Sequence, residues 1–250
     1  RLVLNMSLPM MISMLVQALY NIVDSIFVAM LSENALTAVS LAFPLQTLLI
    51  AVGSGTGVGM NALLSKSLGE KNTDKANQTA ANAAVLYLLS YIVFLILGFT
   101  VVKPFYLSQI GGADREIMRM GIDYLSTVMI FSFGLFAQFF FERLLTSTGK
   151  TIFSMISQLS GALTNIILDP ILIFGLLGAP KLGVAGAAIA TVISQIVSCL
   201  FVLGCLFSKR MPVRLGWGDF HLHVMKRIVT FGFSPFLILA SDSILLIVLN

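Results

Sequence analysis

Long apolar stretches alternate with short polar connections along nearly the whole chain. Six stretches are complete and a seventh begins before the chain ends, at residues 4–31, 38–64, 79–102, 120–145, 153–177, 184–207 and 228–250. Each complete stretch exceeds the roughly 20 residues that an α-helix needs to cross a bilayer. The connections contain helix breakers, among them Ser32-Glu33-Asn34 and Gly178-Ala179-Pro180. The pattern predicts an all-α integral membrane protein with a six-helix transmembrane bundle and part of a seventh helix.

The composition agrees with this class. Hydrophobic residues make up 58% of the chain and charged residues 10%, whereas soluble domains have about 25% charged residues. The first stretch is too long, and too polar at its far end, for a cleaved signal peptide. The chain begins at Arg1 and stops at Asn250 within an apolar stretch, so we expect it to be a piece of a longer polypeptide.

The basic residues are distributed unevenly between the two sides that the predicted spans define. Eleven of the fifteen Lys and Arg residues fall on one side: Arg1, Lys66, Lys71, Lys75, Arg143, Lys150, Lys209, Arg210, Arg214, Lys226 and Arg227. The other four are Lys103, Arg115, Arg119 and Lys181. The positive-inside rule then predicts a cytoplasmic N-terminus. The net charge of +4 therefore indicates membrane orientation, and we expect no nucleic-acid partner.

The connection at 208–227 is the longest and most charged, and a weak repeat flanks it. Asp24 lies fifteen residues after Pro9 in the first stretch, and Asn250 lies fifteen residues after Pro235 in the seventh. Repeated bundles are common in secondary transporters. The organisation predicted is a first six-helix lobe at 1–207, a cytoplasmic interlobe linker at 208–227, and the start of a second lobe at 228–250.

Three of the apolar stretches carry a polar stripe at helical spacing. The stripes are Gln17, Tyr20, Asn21 and Asp24; Gln158, Asn165 and Asp169; and Thr191, Ser194, Gln195 and Ser198. Interhelical hydrogen bonding would explain the Ser and Thr residues. It does not explain two carboxylates, because a charge in hydrocarbon costs several kcal/mol and no Lys or Arg lies within these stripes. We expect the three stripes to face a shared interior.

Depth and helix chemistry support a cation site. Asp24 and Asp169 each lie eight residues before the predicted outer end of their helix, and Thr191 lies eight residues after Gly183, so all three are about 12 Å deep. Pro170 lacks an N–H group, which leaves the carbonyl of Ile166 without its helical donor. Such a site suits Na⁺ bound through oxygens or a proton on a carboxylate, and the sequence does not choose between them.

Other motifs carry less chemistry. Gly53, Gly55, Gly57 and Gly59 lie within one apolar stretch with no phosphate-loop Lys after them, so we interpret them as sites of close helix packing. For Glu142 we expect a local ion pair with Arg143. No nucleophile–base, zinc-hydrolase or nucleotide-binding motif is present, so we predict neither an enzyme nor an ATP-driven pump, and no cofactor.

The residues resemble those of the multidrug and toxic compound extrusion (MATE) family. The resemblance covers essentially the whole chain and is most specific at Asn-Ile-Ile-Leu-Asp-Pro-Ile-Leu-Ile-Phe-Gly, residues 165–175. The helix from Pro9 to Asp24 and the turn at 68–72 are also similar. Lys66 departs from the family, which usually has Gln there. The resemblance implies twelve helices in two lobes, with drug or organic-cation export coupled to inward Na⁺ or H⁺.

The resemblance also implies a cation-coupling site in the first lobe. It assigns Asp24 and Asp169 as coupling carboxylates, Asn165 and Thr191 as neutral oxygen ligands, and Asp24, Asn165 and Asp169 as ligands where the ion is Na⁺. The expected cavity wall contains Gln17, Tyr20, Asn21 and Gln158.

The function predicted is secondary antiport by alternating access, exporting amphipathic or cationic small molecules across the plasma membrane as a full-length monomer. The first alternative is a lipid-linked oligosaccharide flippase of related architecture. It would need several cavity-lining Arg or Lys residues to hold pyrophosphate, whereas all of them here fall in loops or at helix ends. A channel, a non-transporting scaffold and a membrane enzyme are weaker alternatives, because neither pore-lining rings nor a catalytic set is evident.

Overall fold

The computed structural model describes residues 2–111, 114–208, 213 and 220–249. Within these residues the chain forms α-helices and no strands. The helices are α1 Leu2–Ala29, α2 Glu33–Gly69, α3 Thr73–Thr100, α4 Val102–Ile110, α5 Arg115–Ile130, α6 Phe133–Ser147, α7 Thr151–Phe174, α8 Val184–Ser208 and α9 Leu222–Leu249, with a short 3₁₀ turn at Leu176–Gly178. Six helices are long and apolar enough to cross a membrane, and the α5–α6 pair makes a seventh if it is one span. The predicted all-α membrane fold is confirmed.

The fourth predicted span, 120–145, is broken in the structure. The axes of α5 and α6 meet at 42°. At the junction, the Ser132 hydroxyl donates to the carbonyl of Met129 at 2.8 Å. A side chain that bonds the preceding turn in this way competes with helix continuation. Hydropathy could not detect the break because the residues on both sides of it are apolar.

The short helix α4 was not predicted. It has Pro104 in its first turn, where a missing N–H is harmless, and it ends at Gly111 with φ +61°. Tyr106 of α4 is fully buried and donates a hydrogen bond of 2.6 Å from its hydroxyl to the carbonyl of Ala38. The Tyr106 hydrogen bond therefore joins α4 to α2, while the helix itself packs against α3 and α5.

Helix α2 lies at the centre of the bundle, and its four alternating glycines explain how. A Cβ at Gly53 or Gly57 would meet side chains of α3 and α6, whereas one at Gly55 or Gly59 would meet α9. Residues two apart in a helix point to nearly opposite sides. The four glycines thus let α2 pack closely against α3 and α6 on one side and against α9 on the other. Their predicted role in helix packing is confirmed.

Helix α9 begins at Leu222, six residues before the predicted start at Ile228. Residues 222–227, expected in the linker, are therefore helical, while 209–212 and 214–219 lie outside the described residues. The backbone N–H of His221 donates to Asn82 Oδ1 at 2.8 Å, and the Ser243 hydroxyl donates to the Pro44 carbonyl at 2.6 Å. Both ends of α9 are thus attached to the preceding bundle.

Candidate functional site

Helix α7 positions the first part of the candidate site. Asn165 and Asp169 are one helical turn apart and almost completely buried, with 1% and 0% of their surfaces exposed. The Asn165 Nδ2 group donates to Asp169 Oδ1 at 3.2 Å. Helix α1 packs against α7 and brings Asp24 close enough for its carboxyl group to interact directly with that of Asp169. The structure therefore brings together three of the four residues predicted to couple a cation.

Each of these three residues presents a buried oxygen without a donor. Asp24 Oδ1, Asn165 Oδ1 and Asp169 Oδ2 accept no hydrogen bond from the described part of the chain. A buried acceptor left without a partner costs about 1–3 kcal/mol, and more when it is charged. Three such oxygens from two helices match the chemistry of a bound cation, or of a proton shared between the carboxyl groups.

The two carboxylates also share one depth. Asp24 lies five residues before the end of α1 at Ala29, and Asp169 lies five residues before the end of α7 at Phe174. Pro170 sits inside α7 directly after Asp169, so the Ile166 carbonyl lacks its usual helical donor. Gly175 then ends the helix with φ +74°. The site thus lies about one and a half turns inside the helix ends, next to a weakened turn of α7.

Two tyrosines lie near the carboxylates. Tyr20 of α1 and Tyr124 of α5 are both within electrostatic range of Asp24 and Asp169. Tyr124 is buried and accepts a hydrogen bond of 3.0 Å from Gln46 Nε2. Sequence reasoning missed Tyr124 because its partner Gln46 lies 78 residues away in sequence, on another helix.

Thr191 is not in contact with this group in the structure. It lies half-buried on α8, and its backbone carbonyl accepts a hydrogen bond of 2.7 Å from the Ser194 hydroxyl. It does not line the cavity described below. Its assignment as a ligand stays a prediction, which would require α8 to move relative to α7.

A cavity of about 80 Å³ extends into the bundle from Asn165, the hydrogen-bond partner of Asp169. Its polar lining includes Gln17, Tyr20, Gln138, Glu142, Gln158, Asn165, Ser194, Gln195 and Ser198. Three of the four predicted wall residues, Gln17, Tyr20 and Gln158, are in this lining. Asn21 is not: it is exposed on α1, in a shallow surface hollow with Ser25 and Leu36.

The lining contains one carboxylate that the sequence reasoning had assigned elsewhere. Glu142 is only 4% exposed, and its carboxylate accepts hydrogen bonds from Gln138 Nε2 at 3.0 Å, Gln158 Nε2 at 3.0 Å and Ser157 Oγ at 3.2 Å. The expected local ion pair with Arg143 is wrong. Adjacent helical residues point about 100° apart, and the Arg143 side chain instead lies beside Gly57 and Tyr87. The spacing of Gln138 and Glu142, one turn apart, was the available signal.

Comparisons with known proteins agree with this architecture. A family model described as MatE matches residues 9–171, more than half of the chain. The multidrug export protein MepA of Staphylococcus haemolyticus is 31% identical over 254 aligned positions, covering 99% of this chain and 54% of that protein. An FAD transporter of Shewanella oneidensis is 30% identical over 198 positions, covering 79% of this chain and 43% of that protein. The chain spans about half the length of the curated relatives it matches.

A solved structure has the same arrangement of helices. It is the outward-facing conformation of a multidrug resistance MATE family transporter of the MOP superfamily. The two superpose with a TM-score of 0.87 at 30% sequence identity, over 97% of this chain and 53% of the other. The chain therefore belongs to the MATE family of transporters.

Proposed function

We propose that the full protein exports amphipathic or cationic small molecules in exchange for Na⁺ or H⁺, by alternating access of two lobes. The observation that carries this proposal is the set of three buried oxygens of Asp24, Asn165 and Asp169 without a donor. Because an uncompensated carboxylate is costly in a membrane interior, the pair favours taking up a cation whenever one has access. Its similarity to the multidrug export protein MepA supports drugs as the exported class.

The site supports a specific coupling step. Asp24 lies on α1 and the Asn165–Asp169 pair on α7, so a bound cation or shared proton screens the repulsion between the two carboxylates and holds the helices together. Loss of the ion restores that repulsion and favours their separation. Pro170, with no N–H to donate, lets the end of α7 adjust at low cost. The exported molecule gains access when the ion state changes this contact.

The organisation of the full protein follows the same proposal. Residues 1–207 form the first lobe, the segment from Ser208 forms the interlobe linker, and the helix that starts at Leu222 opens the second lobe. The distribution of basic residues favours a cytoplasmic N-terminus, and the proposed full protein is a multi-pass monomer of the plasma membrane. Thr191 joins the cation ligands when α8 shifts.

The flippase alternative receives less support. A pyrophosphate-linked lipid requires Arg or Lys side chains around its phosphates. The lining of the cavity contains neither residue and includes the carboxylate of Glu142. A cavity with this lining favours cationic or neutral ligands over anionic ones.

The test uses the full-length protein in proteoliposomes loaded with a fluorescent organic cation. Efflux is followed under an imposed Na⁺ gradient or an imposed pH gradient, for wild type, Asp24→Asn and Asp169→Asn. We expect one of the gradients to drive efflux, and each variant to reduce the rate at least about tenfold, because it removes a charge that must be compensated. Asp123→Asn is the matched control, since Asp123 is an exposed Asp on neighbouring α5.

The outcomes separate the parts of the proposal. Efflux that both Asp variants retain at the wild-type rate would refute the coupling role of the pair. Absence of efflux under either gradient would refute cation export and direct the next assay to lipid-linked sugars.

A further inference from the structure

A further carboxylate, that of Glu142, lines the cavity. Glu142 of α6 meets Ser157 and Gln158 near the start of α7. Gln158 and Asp169 are eleven residues apart on α7, which corresponds to about 16 Å along the helix. Glu142 is therefore separate from the Asp24–Asp169 pair, although the same cavity reaches Glu142 and the neighbouring Asn165.

The hydrogen bonds of Glu142 come only from neutral groups. Two amides and one hydroxyl donate to its carboxylate, and no Lys, Arg or His forms an ion pair with it in the described ranges. Three donors orient a carboxylate and match its anionic form. They supply no positive charge, and Arg143, although within electrostatic range, lies beside Gly57 and Tyr87 and forms no ion pair with this carboxylate in the described ranges.

The surroundings match an organic cation better than a second bare ion. The lining of the cavity that contains Glu142 also includes the rings of Tyr20 and Phe139 and the apolar side chain of Leu135. Aromatic faces attract cations and apolar walls accept their hydrocarbon groups.

We propose that Glu142 is a recognition site for the positively charged group of an exported organic cation, spatially distinct from the ion-coupling carboxylates. The inference rests on the proposed function, because it names the group that meets the exported molecule. It assigns ion coupling to Asp24 and Asp169 and selection for positive charge to Glu142. Neutral substrates of similar shape would lack this contact.

The test measures binding of tetramethylammonium, a small permanent organic cation chosen to match a cavity of about 80 Å³, to the full-length protein in detergent, together with its efflux from proteoliposomes. We expect Glu142→Gln to weaken binding at least about tenfold, because one charge-assisted contact is removed. Glu142→Asp keeps the charge and should lose less than about threefold. Glu70→Gln is the control, since Glu70 is a half-exposed carboxylate paired with Lys66 at the end of α2.

Each outcome decides a different point. Wild-type affinity in Glu142→Gln overturns this inference and leaves the proposed function intact, provided that the wild type exports the cation. Equal losses in the Gln and Asp variants, at unchanged thermal stability, show that shape matters and charge does not, which also overturns it. A wild type that neither binds nor exports the cation overturns the proposed function and this inference with it.

A measurement on wild-type protein tests the role of Glu142 even if Glu142→Gln does not fold. Carbodiimide labelling of buried carboxyl groups, followed by mass spectrometry, reports on Glu142 directly. We expect tetramethylammonium at about twenty times its Kd to reduce labelling of Glu142 at least about tenfold, because less than about a tenth of the sites then remain free. Labelling of Glu142 that the cation leaves unchanged overturns the assignment.

Discussion

The contact between α2 and α9 gives a direct test of the packing argument. A Cβ added to Gly59 would overlap the carbonyl oxygen of Ile228, and one added to Gly232 would overlap the carbonyl of Gly55. These are backbone atoms, so no side-chain rotation relieves the overlap and α9 must move away. Gly59→Ala should therefore destabilise the protein by about 1–3 kcal/mol, the usual cost of overpacking a well-packed interface.

The same helix supplies graded controls. A Cβ at Gly55 would lie 2.9 Å from the Gly232 carbonyl oxygen and 2.9 Å from Phe236 Cβ, whereas nothing lies within 4 Å of one at Gly69. Gly69→Ala gains only helix propensity, at most about 1 kcal/mol. The expected order of stability is Gly69→Ala highest, then Gly55→Ala, then Gly59→Ala. The difference between the extremes should be about 1–4 kcal/mol.

Thermal unfolding of the full-length protein in detergent measures this order, with the loss of the monodisperse species on size exclusion as the readout. Equal melting temperatures for Gly59→Ala and Gly69→Ala would refute the close approach of α2 and α9. A loss confined to Gly69→Ala would contradict the assignment of the glycine faces altogether.

Two further predictions concern other close contacts and the backbone, and use the same assay. Gly161→Ala should lower the stability of the protein by about 1–3 kcal/mol, because its Cβ would overlap Ser198 Oγ. Most of that loss should disappear when Ser198→Ala is added. A loss of stability that persists in the double variant would contradict the contact. Leu177 is 90% exposed and has a left-handed backbone conformation with φ +58°. Leu177→Gly should therefore stabilise the protein by about 1 kcal/mol, because glycine adopts that conformation without strain, whereas Leu176→Gly should not stabilise it. A destabilised Leu177→Gly variant would contradict the left-handed conformation.

Much of the fold could be predicted because a bilayer imposes strict lengths on apolar helices. Hydropathy located α1, α2, α3, α7 and α8 to within a few residues at most ends. It failed at the bend between α5 and α6, where a local hydroxyl contact at Ser132 decides the geometry while hydropathy stays high. It also failed at α4, whose packing depends on one long-range hydrogen bond from Tyr106.

Part of the candidate site could likewise be predicted from the sequence, and part could not. Asp24, Asn165 and Asp169 stood out in the sequence because polar groups at helical spacing are rare and costly in apolar helices. Glu142 was misjudged because its neighbour in sequence is Arg143, and sequence adjacency suggested an ion pair. Its true partners are Ser157 and Gln158 of the next helix, together with Gln138 one turn before it. The contacts from Ser157 and Gln158, which lie on another helix, leave no periodic signal in the sequence.

Helix α7 contacts both anionic positions of the bundle. Ser157 and Gln158, near its start, donate to Glu142, and Asp169, near its end, lies beside Asp24. A ligand that neutralises one anionic position changes the forces on α7, which also contacts the other position. Pro170 lies where α7 lacks a backbone hydrogen bond. We therefore expect the coupling ion and the organic cation to affect each other's affinity without sharing a ligand. By thermodynamic linkage the two effects must be equal in size, so titrating each in the presence of the other checks the argument.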